Sequence, residues 1–285
     1  MRARGPAAYH RGHVRFRVLG SGSSGNTTLV ECGGTSILID AGLGAREMAE
    51  RLQSQGVDPG SLAAIVLSHE HGDHCRGAAS FSKKWGVRLL GTRGTYAAGG
   101  FGAEDIAGWD VLEPGRPWTC GAITITGVPV PHDAAGPIGF VLDGDGVTMG
   151  HATDFGHVNR ALVEAFRPCD TVVIESNYEP ALLRDGDYPW SLKERILGRH
   201  GHLSNDDVAA YIKRGLGEAC RTLVLAHLSR QNNHPDLAHM SALSALRSRG
   251  RTEVRLEIAD PGGMDWITVT PAPRPARGPE QLRLF

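Results

Sequence analysis

Ala64-Ile65-Val66-Leu67-Ser68-His69-Glu70-His71-Gly72-Asp73-His74 is the stretch that decides the fold. Four apolar residues, the pattern of a buried strand, run straight into three imidazoles and a carboxylate. Polar groups at the end of a buried strand are costly unless something uses them. Imidazole and carboxylate together suit zinc, manganese or iron, and a loop there can wrap its ligands around ions. Gly72 allows the tight turn that brings Asp73 and His74 back toward His69 and His71. The competing account is a solvated polar loop with chance histidines, and the HxHxDH spacing after a strand weighs against it.

The rest of the 285-residue chain is compatible with one α/β domain of ordinary globular composition, with 41% hydrophobic and 21% charged residues. A net charge of −1 gives no global signal for nucleic acid or an anionic membrane, although a local basic groove can hide inside a neutral total. Cys32, Cys75, Cys120, Cys169 and Cys220 are scattered and never form a CxxC pair, which fits reduced thiols in a cytoplasmic protein. No apolar run approaches the roughly 20 residues of a membrane span. The basic start, MRARGPAAYHRGH, lacks the apolar core of a signal peptide. A cytoplasmic protein with no membrane partner is therefore expected.

Composition predicts tails over residues 1–13 and 271–285, and a single domain over 14–270. Strands are expected at Val14–Leu19, Thr28–Glu31, Ser36–Ile39, Ala64–Leu67, Ile123–Val130, Ile138–Leu142, Gly146–Met149, Thr171–Ile174, Thr222–Ala226 and Val254–Ile258. Helices are expected at Arg46–Gln55, Arg76–Trp85 and Val158–Phe166. The clearest helix start is Ser204-Asn205-Asp206-Asp207, where Ser204 and Asp207 can form a capping box. Val208, Ile212 and Leu216 then give that helix one buried stripe.

The motif and its surroundings resemble the metallo-β-lactamase superfamily, which implies an αββα sandwich of two mixed sheets flanked by helices. By that resemblance Asp40 supports the site from behind, and His69, His71 and His132 bind one divalent ion. Asp73, His74 and His227 bind a second, and Asp154 bridges the two. Each outlying residue lies just past an apolar run, where strand ends can converge. His151 and His157 flank Asp154 and are expected in supporting or surface positions. His10, His13, His200, His234 and His239 are expected not to be ligands.

Two ions about 3.5–4 Å apart activate a water for attack on an electrophile, so hydrolysis is the expected reaction. Three segments narrow the substrate. The Gly/Ser loop Gly20–Asn26, with Ser21, Ser23, Ser24 and Asn26, could cradle a phosphate, although the same composition makes an ordinary hairpin. Glu175 follows a buried strand and could serve the site or pair with an arginine. Gly201-His202-Leu203-Ser204 is similar to the His-x-Ser segment of nuclease branches such as tRNA-processing RNase Z. There the histidine meets the substrate phosphate and helps the leaving group, a role carried here to His202, with Ser204 and Asp73 beside it.

Seven phrases (LGSGSSGN, SHEHGDH, PHDAAGPIGF, ATDFGHV, ESNYEPALL, YPWSLKERILGRHGHLSN and LAHLSRQNN) resemble the YycJ/WalJ-type bacterial proteins over roughly residues 16–245. The resemblance implies a 5′-to-3′ exonuclease acting on DNA ends. Arg230 is the better candidate for a phosphate contact. Lys193, Arg195 and Arg199, with Tyr188 and Trp190, could line a nucleic-acid path or form one solvated helix face. Arg247, Arg249 and Arg251 carry no assignment. The rival functions are a small-molecule thioesterase or lactonase, and a binding protein that kept the fold without turnover. Metal identity, zinc or manganese, and oligomeric state stay open.

Overall fold

The computed structural model describes residues 13–269 and 271–272. The expected N-terminal tail (apart from His13), His10 within it, and residues 273–285 lie outside the described residues. The first sheet contains β1 (Arg15–Gly20), β2 (Thr27–Cys32), β3 (Thr35–Ile39), β4 (Ala64–Val66), β5 (Leu89–Gly91) and β6 (Trp109–Val111). The second contains β7 (Trp118–Cys120), β8 (Ile123–Pro129), β9 (Ile138–Gly144), β10 (Val147–Ala152), β11 (Thr171–Glu175), β12 (Thr222–Ala226) and β13 (Arg255–Ile258). A last strand, β14 (Ile267–Thr268), returns to pair antiparallel with β1 at the first sheet's edge.

Side-chain alternation explains the layering. Ile37 and Ile39 of β3 enter the core between the sheets with Phe16, Val30, Phe140 and Val224. Leu38, one residue out of phase, packs outward with Met48, Leu52 and Phe81. Those last three lie on α1 (Ala45–Ser54) and α3 (Ala78–Trp85), which follows the single turn α2 (Gly72–Cys75). A short α4 (Arg93–Ala98) follows β5. The outer face of the second sheet is covered by α5 (Arg160–Phe166) and, after α6 (Pro180–Asp185) and α7 (Trp190–Leu197), by α8 (Asn205–Arg214) and α9 (Pro235–Ser248). Helix, sheet, sheet, helix is the expected αββα sandwich. No helix among the described residues is long and apolar enough to cross a membrane.

Each sheet is mixed. β3 to β6 run parallel, as do β10 to β13, while β1–β2–β3 and β7–β8–β9–β10 are antiparallel. The inner parallel strands β4 and β12 are buried on both faces, which is why Ala64–Leu67 and Thr222–Ala226 read as nearly continuous apolar runs. Their carboxyl ends gather the segments after β3, β4, β10, β11 and β12 into one rim, and the polar residues follow there.

Several boundaries differ from expectation for local reasons. The helix expected over Arg76–Trp85 starts at Ala78 and is preceded by a separate turn; between them Gly77 packs so closely that a Cβ there would sit 2.1 Å from the Leu43 carbonyl oxygen. That turn begins at Gly72, inside the metal motif. Asn159 caps α5 by accepting from Leu162 N–H, so that helix starts at Arg160 rather than Val158. The capping box of Ser204 and Asp207 forms, but α8 ends at Arg214 and Leu216 is buried just beyond it. Ala272, assigned to a tail by composition, is buried and its N–H donates to Asp170 Oδ1 at 2.7 Å.

Candidate metal centre

Three residues at the rim have backbone conformations that side chains with a Cβ rarely adopt. Asp40, Asp154 and His227 have φ of 60°, 61° and 55°. Left-handed backbone costs an ordinary residue about 1–3 kcal/mol and persists where its surroundings enforce it, characteristically at functional sites. Here it turns each side chain sharply off its strand end toward a common point. Gly42 permits a close approach at the centre, since a Cβ there would lie 1.7 Å from the Asp73 carbonyl oxygen.

Around that point the ligand atoms of His69, His71 and His132 lie within 4.8 Å of one another, and so do those of Asp73, His74, Asp154 and His227. His71 Nδ1 faces His132 Nε2 at 3.2 Å, and His69 Nε2 is buried with no hydrogen-bond partner. His227 Nε2 is also buried and unpartnered, with Asp73 Oδ2 3.5 Å away. Asp154 Oδ2 lies 2.8 Å from His74 Nε2. Facing imidazole nitrogens and orphaned buried acceptors are stabilised by a cation among them, so the residues present fit two divalent ions.

The opposite edges of the rings are held by the protein. Asp40 Oδ2 binds His74 Nδ1 at 2.7 Å, and its carboxylate also accepts from the Ser68 N–H and hydroxyl. His132 Nδ1 faces the carbonyls of His200 and Gly201 at 3.0 and 3.2 Å. Glu175 Oε1 takes both His202 Nδ1 (2.7 Å) and His227 Nδ1 (2.9 Å). Partners of this kind fix ring tautomer and orientation and leave the inner nitrogen available.

Protonation follows burial and company. Burial, then the neighbouring His74, pushes His69 well below the usual imidazole range, keeping it a neutral donor. Burial opposes charge on His227, yet Asp154, Asp73 and Glu175 hold it up to about 10. Burial would raise Asp154, but His227 and His74 keep its carboxyl well below the normal range. His202 is raised against burial by Glu175, then Asp154. A cation entering the centre displaces the protons that these carboxylates otherwise hold on the imidazoles.

His151 lies buried behind Asp40 rather than at the surface, its Nε2 3.3 Å from Thr28 Oγ1. Burial lowers its pKa to about 4. A depressed imidazole stabilises the folded chain above pH 6.5, and the stabilisation is lost as pH falls from 6.5 through 4. Acid unfolding of the metal-free protein should therefore include about 3 kcal/mol from this residue. His151→Gln is expected to flatten the stability profile between pH 7 and 4 in urea titrations; an unchanged slope would remove His151 from the account.

Other expected site residues separate into two sets. Ser23 and Ser24 are exposed at the tip of the Gly/Ser loop, and Arg230 reaches Ser24 Oγ at 3.4 Å. Ser21 and Asn26 are buried and engaged: Ser21 Oγ accepts from His227 N–H at 2.8 Å, and Asn26 Nδ2 lies 3.0 Å from His74 Nε2. They engage the centre from beneath, while Ser23 and Ser24 keep the exposed positions of the loop. Ser204 is buried, its hydroxyl accepting from the Asp207 N–H at 3.0 Å as a helix cap and donating to Asp207 Oδ2 at 2.5 Å. Lys193 is a structural lysine, buried, with Nζ donating to the carbonyls of Arg184 and Gly186. Arg249 and Arg251 also tie down carbonyls, those of Ile212, Leu216, Gly217 and Cys220.

Sequence reasoning missed Asp133, next to His132, whose Oδ1 lies 3.3 Å from His132 Nε2 and whose Oδ2 accepts from Arg195 at 2.6 Å. It also missed a buried amide network. Asn205 Nδ2 donates to Glu179 and to Asn233 Oδ1, and Asn233 Nδ2 donates to the carbonyls of Ser176 and Asn177. Together they bolt the segments carrying Glu175, His202 and His227. The signal was present in the phrases ESN, HLSN and RQNN, whose polar residues only make sense once paired.

The chain belongs to the metallo-β-lactamase superfamily: the family model described as Beta-lactamase superfamily domain matches residues 35–228. Within it, the chain is 35% identical over 236 residues to Exodeoxyribonuclease WalJ of Streptococcus pneumoniae serotype 2, covering 81% of this chain and 88% of that protein. It is 30% identical over 243 residues to Exodeoxyribonuclease YycJ of Bacillus anthracis, covering 83% and 90%. Among solved structures, the fold is similar to the metallo-β-lactamase fold protein YhfI from Bacillus subtilis (TM-score 0.71, 18% identity, 90% of this chain and 99% of that one). It is also similar to the short form of human tRNase Z (TM-score 0.61, 16% identity, 90% and 99%).

Proposed function

We propose that the chain is a metal-dependent 5′-to-3′ exonuclease acting on DNA ends, in the cytoplasm, through two divalent ions, zinc or manganese. His69, His71 and His132 would hold one ion, Asp73, His74 and His227 the other, and Asp154 both. When bound, the ions supply an activated water and withdraw charge from the phosphate. The observation that carries the proposal is His202. It is outside the seven proposed ligands, although it also groups with Asp154, Glu175 and His227 within 4.8 Å; its side chain is 20% exposed, and Glu175 clamps its Nδ1 at 2.7 Å.

That clamp leaves His202 Nε2 as the free edge of a ring whose protonated form Glu175, then Asp154, favour against burial. A fixed imidazolium at the rim suits a developing oxyanion, as a charge-assisted donor or as the proton source for the leaving oxygen. Asp73 Oδ2 lies 3.7 Å from His74 Nε2 and 3.5 Å from His227 Nε2, so its partly exposed carboxylate can orient a water at the same face. Names of relatives at 30–35% identity support DNA as substrate. The five free cysteines support a reducing compartment.

The competing substrate class is a thiolester, whose thiolate leaves without protonation, or a lactone. Metal-loaded protein should cleave DNA and leave an acyl thiolester and an acyl lactone essentially untouched. Turnover of either small substrate with no attack on nucleic acid would contradict the proposal.

A further inference from the structure

Arg76 has no role in the arguments above, yet it converges with Arg230 on a single loop tip. Arg76 Nη1 donates to the Ser24 carbonyl at 3.2 Å, and Arg230 Nη2 to the Ser24 hydroxyl at 3.4 Å. Both guanidiniums are exposed, and among the described residues neither has a carboxylate within ion-pair distance. The rim arginine Arg195, by contrast, is neutralised by Asp133. Two uncompensated cations drawn onto one serine repel each other, and an anion between them relieves that repulsion.

The loop tip offers further donors. Ser23 and Ser24 are exposed, and their N–H groups donate to no backbone or side-chain acceptor among the described residues. Gly22 and Gly25, at φ of 98° and 146°, turn the chain around them, and consecutive unpaired amides in such a turn form an anion-binding concavity. The loop is also fixed to the centre at both ends. Ser21 Oγ accepts from His227 N–H, and Asn26 N–H donates to the Asp73 carbonyl at 2.8 Å. Anything held at the tip is thereby held at a set distance from Asp73 and His227.

We propose that Arg76, Arg230 and the Ser23–Ser24 tip form a clamp for a phosphate group neighbouring the one that is cleaved. The clamp rests on the nuclease assignment above and deepens it by placing one arm of the substrate on the Asp73 and His227 side. The shared chemistry is a phosphate oxyanion, from either an internal diester or a terminal monoester.

The test is fluorescence anisotropy with full-length, metal-loaded protein and a short duplex whose end linkages are phosphorothioates to resist cleavage. Affinity is followed against salt for wild type, Arg76→Ala, Arg76→Lys, Arg230→Ala and the distant control Arg160→Ala, each checked for folding by circular dichroism. Arg76→Ala and Arg230→Ala should each bind roughly tenfold or more weakly, with the slope of log affinity against log salt smaller by about one. Arg76→Lys should keep the slope, and Arg160→Ala should match wild type. A loss confined to 5′-phosphorylated duplex identifies a terminal monoester, and a loss shared by the 5′-hydroxyl duplex identifies an internal diester. A wild-type slope in Arg76→Ala overturns the clamp while leaving the nuclease assignment standing. Wild-type protein that binds no DNA but hydrolyses a thiolester overturns both.

Discussion

His202→Ala is expected to lower turnover on DNA by roughly 10²–10⁴-fold while the protein keeps its full complement of metal. The ring is not among the seven residues proposed to hold the ions, but it also lies in a group with Asp154, Glu175 and His227 whose ligand atoms are within 4.8 Å of one another, so metal content is the deciding readout. Glu175 is not left stranded by the change. Its Oε1 still accepts from His227 Nδ1, and its Oε2 from the N–H groups of Phe155 and Leu203 at 3.1 and 3.2 Å. Steady-state kinetics paired with elemental analysis separate the two effects. A full metal load with undiminished turnover would remove His202 from the chemistry, and a lost ion would recast it as a ligand.

Asp154→Asn should be as damaging for a different reason, with turnover down about 10³-fold or more and at least one equivalent of metal lost. Several kcal/mol of charge stabilisation come from bound ions, and each 1.36 kcal/mol is tenfold in rate. Asparagine is the informative replacement because it tolerates left-handed backbone, so the φ of 61° is retained and only the charge is removed. Asp154 is also the carboxylate nearest His74 Nε2 and an ion-pair partner of His227 and His202. Its neutralisation should therefore lower the pH at which the metal-free imidazoles lose their protons. Wild-type metal content measured for Asp154→Asn would deny it a bridging position.

The sequence made the site legible where a motif sat at a strand end. HxHxDH, Asp40, His132, Asp154, Glu175 and His227 all follow apolar runs, and the structure gathers them because parallel strands deliver their carboxyl ends to one rim. The two-sheet sandwich was legible through the family resemblance, and the alternation that sends Ile37 and Ile39 inward and Leu38 outward was read only in the structure. The three-residue strands β5, β6 and β7 escaped because so short a run carries no period, whereas the equally short β4 was found from its unbroken apolar run beside the motif. The polar loops were less legible. Only packing shows that polar atoms of Ser21, Asn26, Ser204 and Lys193 are engaged within the protein. Arg76 escaped for the converse reason: its proximity to Ser24 depends on residues far apart in sequence.

The central claim is stepwise hydrolysis of DNA from a 5′ end by this centre. The most direct test is digestion of duplex labelled separately at the 5′ and 3′ ends, with manganese- or zinc-loaded protein, beside single-stranded DNA and RNA. The account predicts early release of the 5′ label as mononucleotide, a 3′-labelled ladder that shortens with time, and loss of both in Asp73→Ala. Retention of the 5′ label by fully metallated protein, or equal digestion by Asp73→Ala, would contradict it.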